Sequence, residues 1–249
     1  MALHPLAAGF ADVADAYDRG RPEYAPAVVG AIAAELQVPS GGRVLDLAAG
    51  TGKLARALLA GGLDVVAVEP QAPLREILAT SIGAGRVREG TAEAIPLPDG
   101  SVAAVTVADA MHWFDQVAAL TEIRRVLRLG GGLAVLTTVP DWGSASWAHE
   151  VGSLIGDMRP QHPHFDGPPW QDALAAADGW GPAREIRLTS SQPLQRERFI
   201  DYAASISWVA ALPQQLRAEK LAQIAALVEA GDTPSELPVN VVVGLAAAR

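Results

Sequence analysis

Cysteine is missing from this chain altogether. That excludes disulfides and thiolate metal sites. Basic residues are scarce, with 19 Lys and Arg against 28 Asp and Glu and a formal net charge of −9. They form no stripe or cluster. Nucleic-acid binding needs such a footprint, so neither RNA nor DNA is expected as a substrate. No apolar run is long enough to span a membrane, and no signal peptide is evident at Met1–Phe10. A cytoplasmic protein is expected. The chain also lacks two common nucleotide signatures. The dinucleotide string G-x-G-x-x-G fails because its first glycine falls on Ala48 and its spacing is lost after Gly52. Lys53 follows Gly52, but no phosphate-loop frame surrounds it. A nicotinamide oxidoreductase is therefore disfavoured.

What is present is VLDLAAGTGKLAR, Val44 to Arg56. Val44, Leu45 and Leu47 read as a buried parallel strand, with Asp46 just before its end. Gly50 and Gly52 permit a tight turn and close backbone approach to a ligand. The helix opening at Leu54 would point its free N–H groups at that ligand. A second buried strand, Leu63 to Val68, ends in Glu69. The acid lies roughly 20 residues on, where such folds place a carboxylate for ribose hydroxyls. A carboxylate there accepts two hydroxyls and repels a 2′-phosphate.

Strands and helices alternate, which predicts an α/β fold with a parallel sheet. The length, 249 residues, suits one domain with elaborations. A helix is expected at Ala27–Leu36. Strands are expected near Arg43–Ala48, Asp64–Glu69, Arg86–Glu89, Val102–Ala108 and Leu133–Val139. Helices fall near Lys53–Leu59, Pro73–Thr80 and Val117–Leu127. Further on, Ser144–Arg159 reads as helix and Pro160–Trp170 as a loop. A strand follows near Glu185–Leu188, then helices at Arg196–Ala210 and Gln214–Ala230 split by Pro213, then a last strand at Val239–Ala247. His162, His164 and Asp166 have metal-like spacing, but the surrounding prolines and Gly167 favour a plain loop, and no metal is expected. His112 follows the fourth strand directly. Its imidazole is placed to accept a proton. The other reading is a structural corner with Trp113.

Six strings in order carry a resemblance. They are YDRGRPEY (Tyr17 to Tyr24), DLAAGTG (Asp46 to Gly52), VVAVEP (Val65 to Pro70), GTAEAIPLPDGSV (Gly90 to Val102), HWFD (His112 to Asp115) and LRLGGGLAVL (Leu127 to Leu136). With these the chain resembles a class I S-adenosylmethionine-dependent methyltransferase of the small-molecule type. HWFD with YDRGRP is similar to a branch that includes trans-aconitate-methyltransferase-like proteins. The resemblance covers Tyr17 to about Val139 well and the rest weakly.

The resemblance implies a Rossmann-like, doubly wound, seven-stranded sheet with the last strand antiparallel, plus helical lid elements. It implies one methyltransferase domain over 1–249, with an N-terminal cap at 1–40 and helical substrate caps at 140–180 and 195–232. The implied cofactor is S-adenosyl-L-methionine, with S-adenosyl-L-homocysteine as product. Asp46, Ala48, Gly50, Gly52, Glu69 and Pro70 would hold it. Thr91, Ala92 and Glu93 would border the adenine, Ala108 and Asp109 the methionine moiety, and Tyr17 and Arg21 a flap above it. Trp113, Trp142, Phe165 and Trp170 would contact the acceptor, while His112 would catalyse. Trp147 and Trp180 fall in the same stretch of aromatics. The expected activity is O-, N- or C-methylation of a natural-product or carboxylate-type molecule. The alternative is a non-methylating reaction such as cyclisation on the same fold. A monomer or homodimer is expected. The chain departs from the family pattern at Ala48, where a glycine is common, at Thr91, where many relatives carry aspartate, and at Ala104 and Leu129.

Overall fold

The computed structural model describes residues 3–193, 195–230 and 236–249. The chain opens with helices α1 (Pro5–Ala8), α2 (Ala14–Gly20) and α3 (Pro26–Glu35). Then β1 (Arg43–Leu47), α4 (Lys53–Ala60), β2 (Asp64–Val68), α5 (Ala72–Ile82) and β3 (Val87–Arg88) alternate. They are followed by β4 (Val102–Ala108), α6 (Gln116–Val126) and β5 (Leu127–Pro140). Three helices come next, α7 (Ser146–Asp157), α8 (Pro163–Asp166) and α9 (Trp170–Ala176). The chain closes through β6 (Arg184–Pro193), α10 (Arg196–Ala204), α11 (Ser207–Ala210), α12 (Gln214–Ala230) and β7 (Glu236–Ala247).

The strands form one seven-stranded sheet in the order β3-β2-β1-β4-β5-β7-β6. The pairs β2–β3, β1–β2, β1–β4 and β4–β5 are parallel. β7 runs the other way. Ala248 N–H bonds Gly131 O while Asp141 N–H bonds Pro238 O, so residue numbers fall along β7 as they rise along β5. This is the doubly wound, Rossmann-like sheet with its last strand antiparallel.

By its internal contacts the chain divides into two compact units. The first holds the described residues up to Pro22, with Val139–His162 and Thr189–Asn240. The second holds Glu23–Thr138, Pro163–Leu188 and Val241–Arg249. Of the segments 1–40, 140–180 and 195–232, residues 23–40 and 163–180 fall in the second unit. Residues 1, 2, 231 and 232 lie outside the described ones.

The second unit has its core on the central strands. β1, β2 and β4 are buried along nearly their whole length, as expected of parallel strands covered on both faces. Leu45, Val66, Val105 and Leu133 pack with Leu120 and Ile123 of α6. The first unit has its own cluster, in which Trp147, Phe199, Tyr202 and Ile224 meet.

Three of the differences from the expected elements have a visible reason. β5 begins at Leu127 rather than Leu133, because its glycines let the strand approach its neighbours. A Cβ on Gly131 would lie 2.8 Å from Ala103 O, and one on Gly132 would lie 2.9 Å from Ala246 O. The helix expected over Arg196–Ala210 is two helices. The buried Ser205 hydroxyl bonds back to Tyr202 O at 2.7 Å and ends the first. The expected loop Pro160–Trp170 holds the short helix α8, begun by Pro163 in the position where proline's missing N–H costs nothing.

Candidate active site

Because β1, β2, β4 and β5 are parallel, their carboxyl ends share one edge. Asp46 to Gly52, Glu69 and Asp109 all lie along it. Ala48, Gly50 and Gly52 take positive φ values of 56°, 58° and 91°, so three of five loop residues are left-handed. For Ala48, which has a Cβ, that conformation is strained.

Glu69 ties the loop to β2. Its Oε2 accepts Gly50 N–H at 2.8 Å and its Oε1 accepts Gln71 N–H at 2.9 Å. Each oxygen keeps a further lone pair, which is enough for two hydroxyl donors. Burial raises the Glu69 carboxyl, while the Gln71 and Gly50 amides and Arg75 pull it down. Arg75 also donates to the carbonyls of Glu69 and Pro70, which fixes the turn that leaves β2.

Asp46 is 1% exposed. Thr106 has one hydroxyl proton and two acceptors in reach, Asp46 Oδ1 at 3.0 Å and Leu45 O at 3.3 Å. Asp46 Oδ2 has no hydrogen-bond partner among the described residues. Burial pushes this carboxyl up to about 7. The Thr106 hydroxyl and Ala55 N–H oppose the rise, and Glu69 adds to it. A protonated Asp46 can donate to Thr106, which then donates to Leu45.

Gly52 serves packing. A Cβ there would lie 2.7 Å from Leu78 Cδ1, so the glycine brings α4 against α5.

Sequence reasoning missed the residues that cross this edge. Glu23 Oε1 pairs with the buried Lys53 Nζ at 2.5 Å and with Arg56 Nη2 at 3.3 Å. The next residue, Tyr24, meets Thr138 Oγ1 through its hydroxyl at 3.3 Å. Glu23 and Tyr24 thus run from the start of α4 to the end of β5. The signals were the YDRGRPEY string, in which both residues fall, and Lys53, a cation in a buried stretch.

Around Thr91 the chain turns, with Ala94 N–H bonded to Thr91 O at 3.3 Å. Ala92 is buried. Glu93 Oε1 accepts Asp115 N–H at 3.1 Å, and Asp115 Oδ1 accepts Ala118 N–H at 3.1 Å. The acid of HWFD is therefore the N-cap of α6. Arg125 of that helix donates to Ile95 O and Leu97 O and pairs with Glu122 and Asp99. These bonds fix residues 95–99.

Past β4, Ala108 leads into Asp109, whose φ is 51° and whose Oδ1 accepts Thr138 N–H at 2.9 Å. Asp109 and His112 line a cavity of about 190 Å³. Val135, Leu136 and Thr137 of β5, with Val242 and Gly244 of β7, form another wall. Pro163, His164, Pro168, Pro169 and Trp170 close it, with Gln116, Gln171 and Glu185 adding polar atoms. The His112 and His164 rings meet edge to face at 4.9 Å. Trp170 lies on Gly244, where a Cβ would fall 2.6 Å from the indole.

Among the aromatics expected at the acceptor, Trp170 lines this cavity. Trp113 packs on the core of the same unit. Phe165 is exposed and set edge-on to His164. Trp142 belongs to the first unit, against Phe199 and Tyr202. Trp147 and Trp180 are buried in the cores of the first and second units.

Tyr17 and Arg21 also belong to the first unit. Arg21 donates to the Ser205 hydroxyl and carbonyl, each at 2.9 Å, and stacks over Tyr17 and Tyr202. In that unit His162 is buried and bonds Ser207 at 3.1 Å. No group of three or more His, Cys, Asp or Glu is gathered for a metal ion among the described residues. None of their helices is long and apolar enough to cross a membrane.

Comparison with known proteins gives one consistent result. The model of a family described as "Methyltransferase domain" matches residues 45–135. The uncharacterized methyltransferase Rv3342 of Mycobacterium tuberculosis is 35% identical over 224 residues, covering 90% of this chain and 86% of the relative. A ubiquinone/menaquinone biosynthesis C-methyltransferase of Stenotrophomonas maltophilia is 39% identical over 126 residues, covering 44% of this chain and 48% of its own. A solved structure provisionally described as a type II methyltransferase, from Anaeromyxobacter dehalogenans, superposes with a TM-score of 0.61. It is 26% identical, covering 92% of this chain and 97% of that one.

Proposed function

The chain belongs to the S-adenosylmethionine-dependent methyltransferases, and on that premise we propose that it methylates a small organic molecule. The observation that carries the reading is the alignment of two features on one sheet edge. One is the left-handed Ala48–Gly52 loop tied to Glu69; the other is the cavity behind Asp109 and His112. A pair of ribose hydroxyls suits the spare lone pairs of Glu69, and the start of α4 suits a ligand's negative end. When bound, S-adenosylmethionine supplies a methyl group already activated on sulfur. Thr91, Ala92 and Glu93 then border its base, and Ala108 and Asp109 its amino-acid end. Tyr17 and Arg21 are proposed as the flap.

The chain's own contribution to chemistry is positioning, exclusion of water and proton removal. Holding an acceptor in line supplies much of the acceleration, and His112 is proposed to accept the acceptor's proton. A small acceptor fits the cavity's size and the relative named for quinone biosynthesis. Cyclisation draws no support from relatives that carry methyltransferase names.

Two measurements test this. A gain of one methylene by a small-molecule product, read by mass spectrometry, is expected. His112→Ala should lower turnover at least about a hundredfold, as removal of a general base does, with cofactor-product affinity nearly unchanged. Turnover within about threefold of the parent would make His112 structural.

A further inference from the structure

We propose that the acceptor is an uncharged single-ring molecule, a phenol, an aniline or a hydroxylated heteroaromatic, seated in the cavity behind His112, and that this cavity rejects carboxylates. The inference rests on the methyltransferase reading and narrows it.

Size comes first. A cavity of about 150 Å³ holds benzene, so the about 190 Å³ here takes one ring with small substituents. The walls come second. Trp170, against Gly244, and the edge-to-face pair His112 and His164 offer aromatic surfaces. Pro168 and Pro169 add rigid apolar ones. Aromatic rings pair favourably in such geometries.

Charge decides the rest. Among the described residues, the ionisable ones lining the cavity are Asp109, His112, His164 and Glu185, with no lysine or arginine. Asp109 accepts the Thr138 amide. Glu185 pairs at 2.6 Å with Arg187, whose side chain is 77% exposed and is not part of the lining. An incoming carboxylate would lose its water, face two carboxylates and find no lining cation. A neutral hydroxyl or amine can instead donate to an imidazole nitrogen or the Gln116 oxygen. Rejection of a charged analogue by unpaired or like charge is an effective source of specificity.

The test measures binding of phenol, aniline and benzoate at pH 8 to the full-length protein loaded with S-adenosylhomocysteine. Methyl transfer from S-adenosylmethionine to the same compounds is followed separately. Phenol and aniline are expected to bind at least about tenfold more tightly than benzoate. Gly244→Leu should abolish binding of all three by driving Trp170 into the cavity. Glu185→Lys, on the exposed edge strand, gives a second readout if that variant does not fold. It should raise the benzoate-to-phenol affinity ratio severalfold. Benzoate binding as tightly as phenol, or a benzoate-to-phenol ratio unmoved by Glu185→Lys, would overturn the proposal. Methyl transfer to a carboxylate that survives in Gly244→Leu would overturn the cavity assignment and leave the methyltransferase standing. Ring binding with no transfer to any small molecule would overturn both.

Discussion

Asp46 and Glu69 are acids kept almost out of water, and each makes a prediction. The Asp46 carboxyl titrates near 3.8 when free and near 7 in the fold. Between those values the folded state holds the extra proton. Its contribution to stability is therefore full below the lower pH and is lost as pH rises through the upper one. At about 1.4 kcal/mol per pKa unit, the loss is at most roughly 4 kcal/mol. Urea denaturation from pH 4 to 8 should show wild-type stability declining relative to Asp46→Asn, whose side chain does not titrate. Parallel curves would mean that Asp46 is ionised throughout. For Glu69, substitution by alanine removes bonds to a charged acceptor, worth about 1.5–3 kcal/mol. Calorimetry with S-adenosylhomocysteine should show affinity weakened roughly ten- to a hundredfold. Unchanged affinity would remove the ribose assignment. Asp46 and Glu69 were legible because each ends a buried apolar run, where a charge is conspicuous. Glu23 was not, since an acid in a Pro- and Gly-rich segment looks like ordinary surface until its lysine partner is placed.

Elements follow the same logic. Runs of apolar residues marked β1, β2 and β4 because strands covered on both faces cannot carry polar alternation. β6 alternates between exposed and half-buried residues, as suits an edge strand, and so only its first half was legible. Helix ends depend on capping, which a motif match can hide. HWFD drew attention to its histidine, yet its aspartate starts α6 and its backbone amide engages Glu93. Asp115→Ala should cost about 1 kcal/mol, the usual value of an N-cap, as measured by denaturant midpoint. It should also speed amide exchange at residues 91–95. No change in either would separate the cap from the turn. Gly52→Ala should be costlier, since it meets both a left-handed backbone and Leu78. A loss of about 2 kcal/mol or more is expected.

For the molecule as a whole, if the Tyr17–Tyr24 and Pro160–Trp170 segments close over bound ligand, S-adenosylhomocysteine should slow hydrogen exchange in both. Proline- and glycine-rich segments beside a pocket commonly serve as closing segments, and unchanged protection would make them static. The loop proposed for the cofactor could be read from one continuous string. The cavity proposed for the acceptor could not, because its walls come from residues 109–116, 135–137, 163–171, 185 and 242–244, and only the sheet order brings them together. That scatter has a consequence for how such a protein can diverge. The indole of Trp170 rests on the bare backbone of Gly244, so any side chain at that position acts as a wedge beneath it. A single codon change in β7 would then reset the depth of the cavity while the Ala48–Glu69 apparatus stayed intact. New acceptors could be recruited by descent along one face of the sheet, with the donor chemistry inherited unaltered.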